Sequence, residues 1–342
     1  MKFHNPIIHN AFGVDLGTSA VKIYCQHTGQ ITTEKNMIAF KDDGEVLAVG
    51  NDAFDMYEKN PPNIKVHQPV KNGRIADVTE ALYVLTALMQ RADRRIGYAP
   101  IIFFSAPVNM SEIEKRAYYA ISQGNIIQNP RVYLVDRAIC DAIALGIPIH
   151  RTRGSMIVNI GGQNTEISVL ANEQVIISKD IPIGGQQLNG AICDIIRRDD
   201  NLLIGHHTAK RLKAVLSSLG EDIREERKIY GISTLSGLPK EGVVTSEQVS
   251  LAVEAQISQL AYEIRNFLER TPPQISESIR REGIYLTGGT ARIPFIDRYL
   301  RHYIGVDVKL STHYELCTVR GLEELVNHKA LWRWGYTIRK KK

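Results

Sequence analysis

Three stretches of this 342-residue chain lead an apolar run into a glycine-bearing turn. They read F-G-V-D-L-G-T-S-A-V-K-I-Y at 12–24, V-N-I-G-G-Q-N-T-E at 158–166 and I-Y-L-T-G-G-T-A-R-I-P-F at 284–295. The first places Asp15 before Gly17 and Thr18, the second places Asn159 before Gly161 and Gly162, and the third carries Gly288 and Gly289. Glycine tolerates positive φ and lets backbone N–H groups come close to phosphate oxygens. Binding of a phosphate chain is therefore the chemistry these turns suit. Phosphate chemistry with a metal ion wants a carboxylate at the polar position, and the second stretch has the amide of Asn159 instead. That leaves two readings open: an ATP site that has lost an acid, or no ATP site at all.

The first two stretches match in register. Asp15 pairs with Asn159, Gly17 with Gly161, Thr18 with Gly162 and Ile23 with Ile167, each 144 positions apart. That spacing is far too long for a solenoid repeat. It suits two halves of one protein, each opening with a β-hairpin. The third stretch reads as a strand (284–287) turning at Gly288 and Gly289 into a helix over about 294–303. A helix N-terminus there favours phosphate, and an ordinary strand–loop–helix connection reads the same way. Lys22 lies seven residues after Asp15. It is open to two readings, a phosphate ligand or a solvated strand lysine.

Elements must hold these turns in place. Helical periodicity runs through 79–91, 111–122, 185–199, 207–218 and, most clearly, 245–270. The last opens T-S-E-Q, a capping-box pattern, and stops at Thr271, Pro272 and Pro273. Strands read at 101–105, 131–135, 156–160, 165–170 and 173–178. Strands alternating with helices imply an α/β fold with largely parallel sheets covered by helices.

A hydrophobic content of 44% and a charged content of 23% are those of an ordinary globular chain. A net charge of +5 spread over this length does not argue for nucleic acid. Cys25, Cys140, Cys193 and Cys317 lie far apart with no zinc-like spacing, and read as buried thiols in a reducing compartment. The N-terminus lacks the continuous apolar region of a signal peptide, and no run of 18 apolar residues exists.

Taken in order, these sites resemble the actin/chaperone/sugar-kinase ATPase superfamily, and finer matches resemble bacterial actin of the MreB type. The matching stretches are D-L-G-T-S at 15–19, V-L-A-V-G-N-D-A at 46–53 and H-Q-P-V-K-N-G-R-I-A-D at 67–77. They continue with S-E-I-E-K-R-A at 111–117, N-L-L-I-G-H-H-T-A at 201–209, S-G-L-P-K at 236–240, T-P-P at 271–273 and L-T-G-G-T-A at 286–291. The resemblance implies an actin-like fold, two duplicated α/β halves around a nucleotide cleft. The first half takes 1–150 and about 320–342, with a small inserted subdomain near 35–70. The second takes 151–320, with an insert near 183–241. It further implies that ATP or ADP with Mg²⁺ binds at Asp15, Gly17, Thr18, Lys22, Gly161, Gly162, Lys213, Gly288 and Gly289. In this reading Asp15 acts on the metal indirectly and Lys213 lies near the adenine. Lys210 stands where the family places a Glu.

Departures from the family pattern fall on the hydrolytic positions. The family's D-I-G-G-G-T-T-E is here N-I-G-G-Q-N-T-E, so Asn159, Gln163 and Asn164 replace Asp, Gly and Thr. The family's E-E-P is matched within L-V-D-R-A at 134–138, which puts Asp136 at the first Glu and Arg137 at the Glu that positions the attacking water. Thr290 stands where a third glycine is usual. An amide lacks the charge and basicity of a carboxylate, and Arg137 stays protonated and cannot act as a base. The expectation is nucleotide binding with poor hydrolysis, unless Asp136 or Thr165 holds the water instead.

Two functions follow from the resemblance. One is a cytoplasmic filament protein at the inner face of the membrane, associating with itself and with cell-shape membrane proteins. The other is a non-polymerising pseudo-ATPase that regulates an active MreB paralogue. A sugar or carboxylate kinase would need a catalytic Asp and a substrate domain that the chain does not display. Peripheral membrane contact has two candidate sites: Ile96 and Tyr98 in the loop R-R-I-G-Y, and Trp332 and Trp334 in the tail A-L-W-R-W-G-Y-T-I-R-K-K-K. The tail tryptophans could equally close a core.

Overall fold

Alternating apolar residues build the first strands, and the short polar turns between them set the hairpins. The computed structural model describes residues 10–124, 126–220 and 224–337. The chain divides into two units, Met1–Ile149 with Leu316–Lys342, and His150–Glu315.

In the first unit, β1 (Ala11–Leu16), β2 (Ala20–Cys25) and β3 (Gln30–Lys35) form an antiparallel meander. The chain then makes β4 (Ile38–Lys41), β5 (Val46–Val49), helix α1 (Asn51–Met56) and β6 (Ile64–His67). The three strands among these pair in the order β5-β4-β6 over a small apolar cluster of Met37, Ala39 and Ala53. A tight hairpin follows, β7 (Val70–Lys71) and β8 (Arg74–Ile75). Next come α2 (Val78–Ala92), β9 (Ile101–Ala106), α3 (Glu112–Ile121), β10 (Arg131–Asp136) and α4 (Arg137–Ala144). Asp77 caps α2 by accepting the Glu80 amide at 2.8 Å. The apolar face of α2, Ala81, Val84, Leu85, Leu88 and Met89, is buried at helical spacing against Phe12, Ile23 and Phe104. The main sheet runs β10-β9-β1-β2-β3, with β9 and β10 parallel to β1.

The second unit repeats this plan. Its elements are β11 (Ser155–Ile160), β12 (Thr165–Ala171), β13 (Gln174–Ile181), α5 (Gly185–Asp200), β14 (Leu202–Leu203) and α6 (His206–Leu216). They continue with β15 (Glu226–Ser233), β16 (Pro239–Thr245), α7 (Ser246–Glu269), α8 (Pro273–Glu282), β17 (Ile284–Thr287), α9 (Ile296–Ile304) and β18 (Val308–Leu310). Its main sheet runs β13-β12-β11-β17-β18, again a meander of three flanked by two parallel strands. The strand order mirrors the first sheet position for position. The three-stranded insert β14-β15-β16 has no separate core, because Ile229 and Val244 pack into the same apolar cluster as the main sheet.

The capping pattern at Thr245 and Gln248 forms as read, with reciprocal side-chain contacts opening α7. Helix α9 starts later than the periodicity indicated. Gly289–Arg292 is a 3₁₀ turn and Phe295 has a φ of 63°, so the chain after Pro294 cannot be helical before Ile296.

The chain returns to the first unit through α10 (Cys317–Asn327) and a 3₁₀ segment, Lys329–Trp334. A Cβ at Gly321 would lie 1.8 Å from the Cys140 carbonyl oxygen, so α10 meets α4 backbone against backbone. Tyr336 then bridges Leu134 on the edge strand β10.

Candidate functional site

Each unit carries its own cluster, described in turn. In the first, the β1–β2 pairing puts Lys22 directly opposite Asp15. The β1–β9 pairing puts Ser105 opposite Asp15 on the other side. Both contacts are made. Lys22 Nζ sits 2.8 Å from Asp15 Oδ2, and Ser105 Oγ donates to Asp15 Oδ1 at 2.8 Å. Lys22 is only 9% exposed, so it is not a solvated strand lysine. Arg137, also 9% exposed, opens α4 immediately after β10, itself two strands from β1. Burial pushes the Asp15 carboxyl up, but the charges of Lys22 and Arg137 and the hydrogen bonds from Lys22 and Ser105 outweigh it and hold the pKa below the ordinary value. The carboxylate therefore stays ionised inside a cluster that holds two cations.

The turn itself is braced from outside. Gly17 O accepts from Asn36 Nδ2 at 2.8 Å, and Thr18 Oγ1 accepts the Gly73 amide at 3.0 Å from the β7–β8 turn. The Thr18 hydroxyl proton remains available to a ligand. Ser105 and Asn36 carry no motif of their own. Ser105 is placed by its strand register beside Asp15, and Asn36 by its position just past the end of β3, next to the turn.

Asp136, at the end of β10, accepts from Tyr336 Oη at 3.4 Å. Burial raises its pKa, and the Tyr336 hydrogen bond and the Lys115 charge offset this only in part.

In the second unit Asn159 lies opposite Glu166, the counterpart of the Asp15–Lys22 pairing. The Gly161–Gly162 turn docks on the start of α5: the Gly185 amide donates to Gly161 O at 3.0 Å and the Gln186 amide to Gly162 O at 2.7 Å. Thr290 Oγ1 donates to Gly161 O at 3.1 Å, and Lys213 Nζ to Gly185 O at 2.7 Å. Gly161, Gly185, Thr290 and Lys213 thus converge. Burial, and secondarily the charge of Lys210, bring the Lys213 ammonium down to about 8. Gly288 has a φ of +91°, and a Cβ there would fall 2.3 Å from Ile160 O and 2.8 Å from Asn159 Oδ1. The glycine is needed for β17 to turn beside β11, and Gly289 continues from it into the 3₁₀ turn.

Several expectations are corrected. Thr165 is fully buried and donates its hydroxyl proton to Ile183 O at 2.7 Å, so it fastens the link between β13 and α5 and has neither the exposure nor the donor proton to position a water. Ile96 is 4% exposed and belongs to the first unit's core, which removes it from any lipid contact. Tyr98 is 58% exposed, with its Oη accepting from Asn129 Nδ2 at 2.6 Å. The Trp332 ring stands edge-on to Phe103 with centroids 5.2 Å apart and lies 6.3 Å from the Tyr133 ring. It closes the outer face of the sheet. Trp334 is half-buried beneath the Arg333 guanidinium. The basic run 339–342 lies outside the described residues. Cys25 is buried, but its sulfur also approaches Asn10 and Asp93, so its surroundings are not purely apolar.

Comparison with known proteins identifies the family and the fold. The family model of the MreB/Mbl protein matches residues 9–332. The cell shape-determining protein MreB of Escherichia coli K12 is 30% identical over 330 residues, 94% of each chain. The cell shape-determining protein Mbl of Bacillus subtilis is 32% identical over 314 residues, 90% of this chain and 93% of Mbl. Among solved structures, MreB5 of Spiroplasma citri bound to ADP superimposes with a TM-score of 0.89 at 26% identity, covering 96% of this chain and 99% of that one. The same protein bound to AMPPNP gives the same score. The fold is actin-like, and the chain belongs to the MreB/Mbl family.

Proposed function

We propose that this protein is an actin-like, nucleotide-binding cytoskeletal protein acting in bacterial cell shape and wall organisation, and that it hydrolyses ATP poorly. Similarity to cell shape-determining proteins supports the first part. Similarity to a chain solved with ADP and with AMPPNP supports nucleotide binding. In this reading the first unit presents Asp15, Gly17, Thr18 and Lys22 to the phosphates of ATP or ADP. The second presents Gly161, Gly162, Gly288 and Gly289, with Lys213 beside them.

The observation that carries poor hydrolysis is Arg137. The residue at the position that should orient water is a buried cation whose charge acts on Asp15. It cannot accept a proton. Asn159 removes a second acid, and Thr165 is committed to Ile183. Asp136 remains as the one candidate base, with its raised pKa and its bond to Tyr336.

The resemblance implies Mg²⁺ acting with Asp15 indirectly, and direct ligation of the ion by Asp15 does not suit the donors present. Both oxygens of that carboxylate accept from side chains, one of them a lysine.

Self-association into filaments is the assembly this family reading favours. The degenerate acid positions also favour a second role, regulation of an active MreB paralogue. Association with cell-shape membrane proteins and light peripheral contact with the inner membrane face, made firm by filament avidity, complete the reading.

Pelleting and electron microscopy with and without ATP, beside phosphate release, test it. Filaments with little phosphate release are expected. Release at the rate of an active MreB protein assayed in parallel would refute the assignment of Arg137 and Asn159. Absence of filaments under every condition would favour the regulator.

A further inference from the structure

The charges around Asp15 are arranged against a divalent ion and in favour of a bare polyphosphate. Mg²⁺ is usually held through one or two carboxylates together with substrate phosphates, and it keeps several waters. Asp15 is the carboxylate beside the first glycine turn, and it is already engaged on both oxygens, by Lys22 Nζ at 2.8 Å and Ser105 Oγ at 2.8 Å. Carboxylate oxygens keep further lone pairs, but an ion using them would sit next to the Lys22 ammonium. Lys22 and Arg137 are each 9% exposed and Asp15 4%. Solvent screens repulsion between like charges poorly at such depth. Asp136, the acid at the end of β10, is engaged by Tyr336. In the second unit the position matching Asp15 is the neutral Asn159.

We propose that Lys22 and Arg137 take the place of a divalent cation, holding the nucleotide's phosphates directly, so that ATP or ADP binds with little or no dependence on Mg²⁺. The proposal rests on the nucleotide reading above and names the charges that hold the polyphosphate. Two fixed monovalent cations carry the same positive charge as one divalent ion. A guanidinium adds a planar fork that matches two phosphate oxygens at once, and an ammonium adds a compact point charge. Arg137 is the first residue of α4, where the N-terminal end of the helix also favours an anion. Lys22 is oriented by its bond to Asp15 rather than by a ligand. The role left to Asp15 in this arrangement is to hold Lys22 in place.

Calorimetry of the whole protein with AMPPNP, in excess Mg²⁺ and in excess EDTA, tests the proposal without any turnover. Dissociation constants within about threefold of each other are expected; affinity about tenfold or more tighter with Mg²⁺ would overturn it. Binding seen only with Mg²⁺ sinks this inference and leaves the nucleotide reading standing. No binding in either condition sinks both. The variant Arg137→Glu is then compared with the parent after a thermal melt shows that it is folded. Its affinity in EDTA should fall about tenfold or more and recover in Mg²⁺, a gained metal requirement that a purely structural residue would not produce. If Arg137→Glu binds as the parent does in EDTA, Arg137 is not the substitute. Should that variant fail to fold, the comparison on the parent protein decides alone.

Discussion

Asp15, Lys22, Ser105 and Arg137 form a group in which one buried carboxylate faces two cations, an arrangement suited to binding phosphate and ill suited to activating water. Restoring the acids should restore turnover. The double variant Arg137→Glu with Asn159→Asp is expected to raise single-turnover phosphate release in Mg²⁺ by about 10²-fold or more, since a positioned base typically contributes about 10²–10⁴-fold. Either change alone should do little, because residues that act as a unit are not additive. Lys213 yields a second expectation at this scale. Its pKa near 8 lies below the ordinary 10.5, so the free site holds it charged at pH 7 and neutral at pH 9. Although the resemblance puts Lys213 near the adenine, its Nζ sits on Gly185 O beside the Gly161 turn, where a phosphate is held better by the charged form, so AMPPNP affinity should be steady near pH 7 and fall as pH rises through about 8. Lys213→Met should flatten that profile. The same depression works the other way on folding. The protonated lysine is disfavoured in the folded unit, so its contribution to stability improves as pH rises from about 8 toward 10.5.

At the scale of elements, the duplicated meander is what brings chemistry to each turn. In both sheets the polar residue of the first strand faces the residue seven positions later, Lys22 for Asp15 and Glu166 for Asn159. The turns are then fastened by neighbours remote in sequence: the β7–β8 hairpin and Asn36 in the first unit, the start of α5 and Thr290 in the second. Helix contacts complete the first unit. Because Gly321 lets α10 touch the Cys140 carbonyl on α4, Gly321→Ala should force the two helices apart. The expected cost is about 1–3 kcal/mol or more, in the range of overpacked cores, read as a lower denaturation midpoint. A midpoint equal to the parent's would mean that α10 and α4 shift without strain.

At the scale of the molecule, two units of matching topology carry the MreB/Mbl pattern over residues 9–332. The C-terminal segment belongs to the first unit, where Tyr336 pairs with the edge strand and Trp332 covers Phe103. This packing argues against Trp332 as a lipid anchor. The variant Trp332→Ala should lower the unfolding midpoint, at a cost of about 1–3 kcal/mol for a half-buried ring. It should leave flotation on anionic vesicles unchanged. Loss of flotation with an unchanged midpoint would return the ring to the membrane. A form ending at Lys329 reports in the same assay on the tail as a whole, against Tyr98 as the remaining exposed aromatic.

The local pattern of the chain by itself determined the strand–turn–strand pairs at 12–24 and 158–166, their equivalence, the long capped helix α7 and the resemblance to bacterial actin. Those features depend on residues close in sequence, where the alternation of apolar side chains and the conformations open to glycine act directly. The loop at 94–98 read as surface and the tail equally well as surface or as core, and only packing buried Ile96 and set Trp332 half-buried against Phe103. Whether Lys22 was solvated was likewise undecided until β1, β2 and β9 were set side by side, because a strand's own sequence does not say what stands across from it. The same holds for Thr165, whose hydroxyl is claimed by a carbonyl 18 residues away, and for Arg137, which the return of β10 beside β9 carries to within electrostatic reach of Asp15. Residue types named the chemistry, and strand register decided which charges meet, because hydrogen-bonded sheets bring together side chains that lie tens of residues apart along the chain.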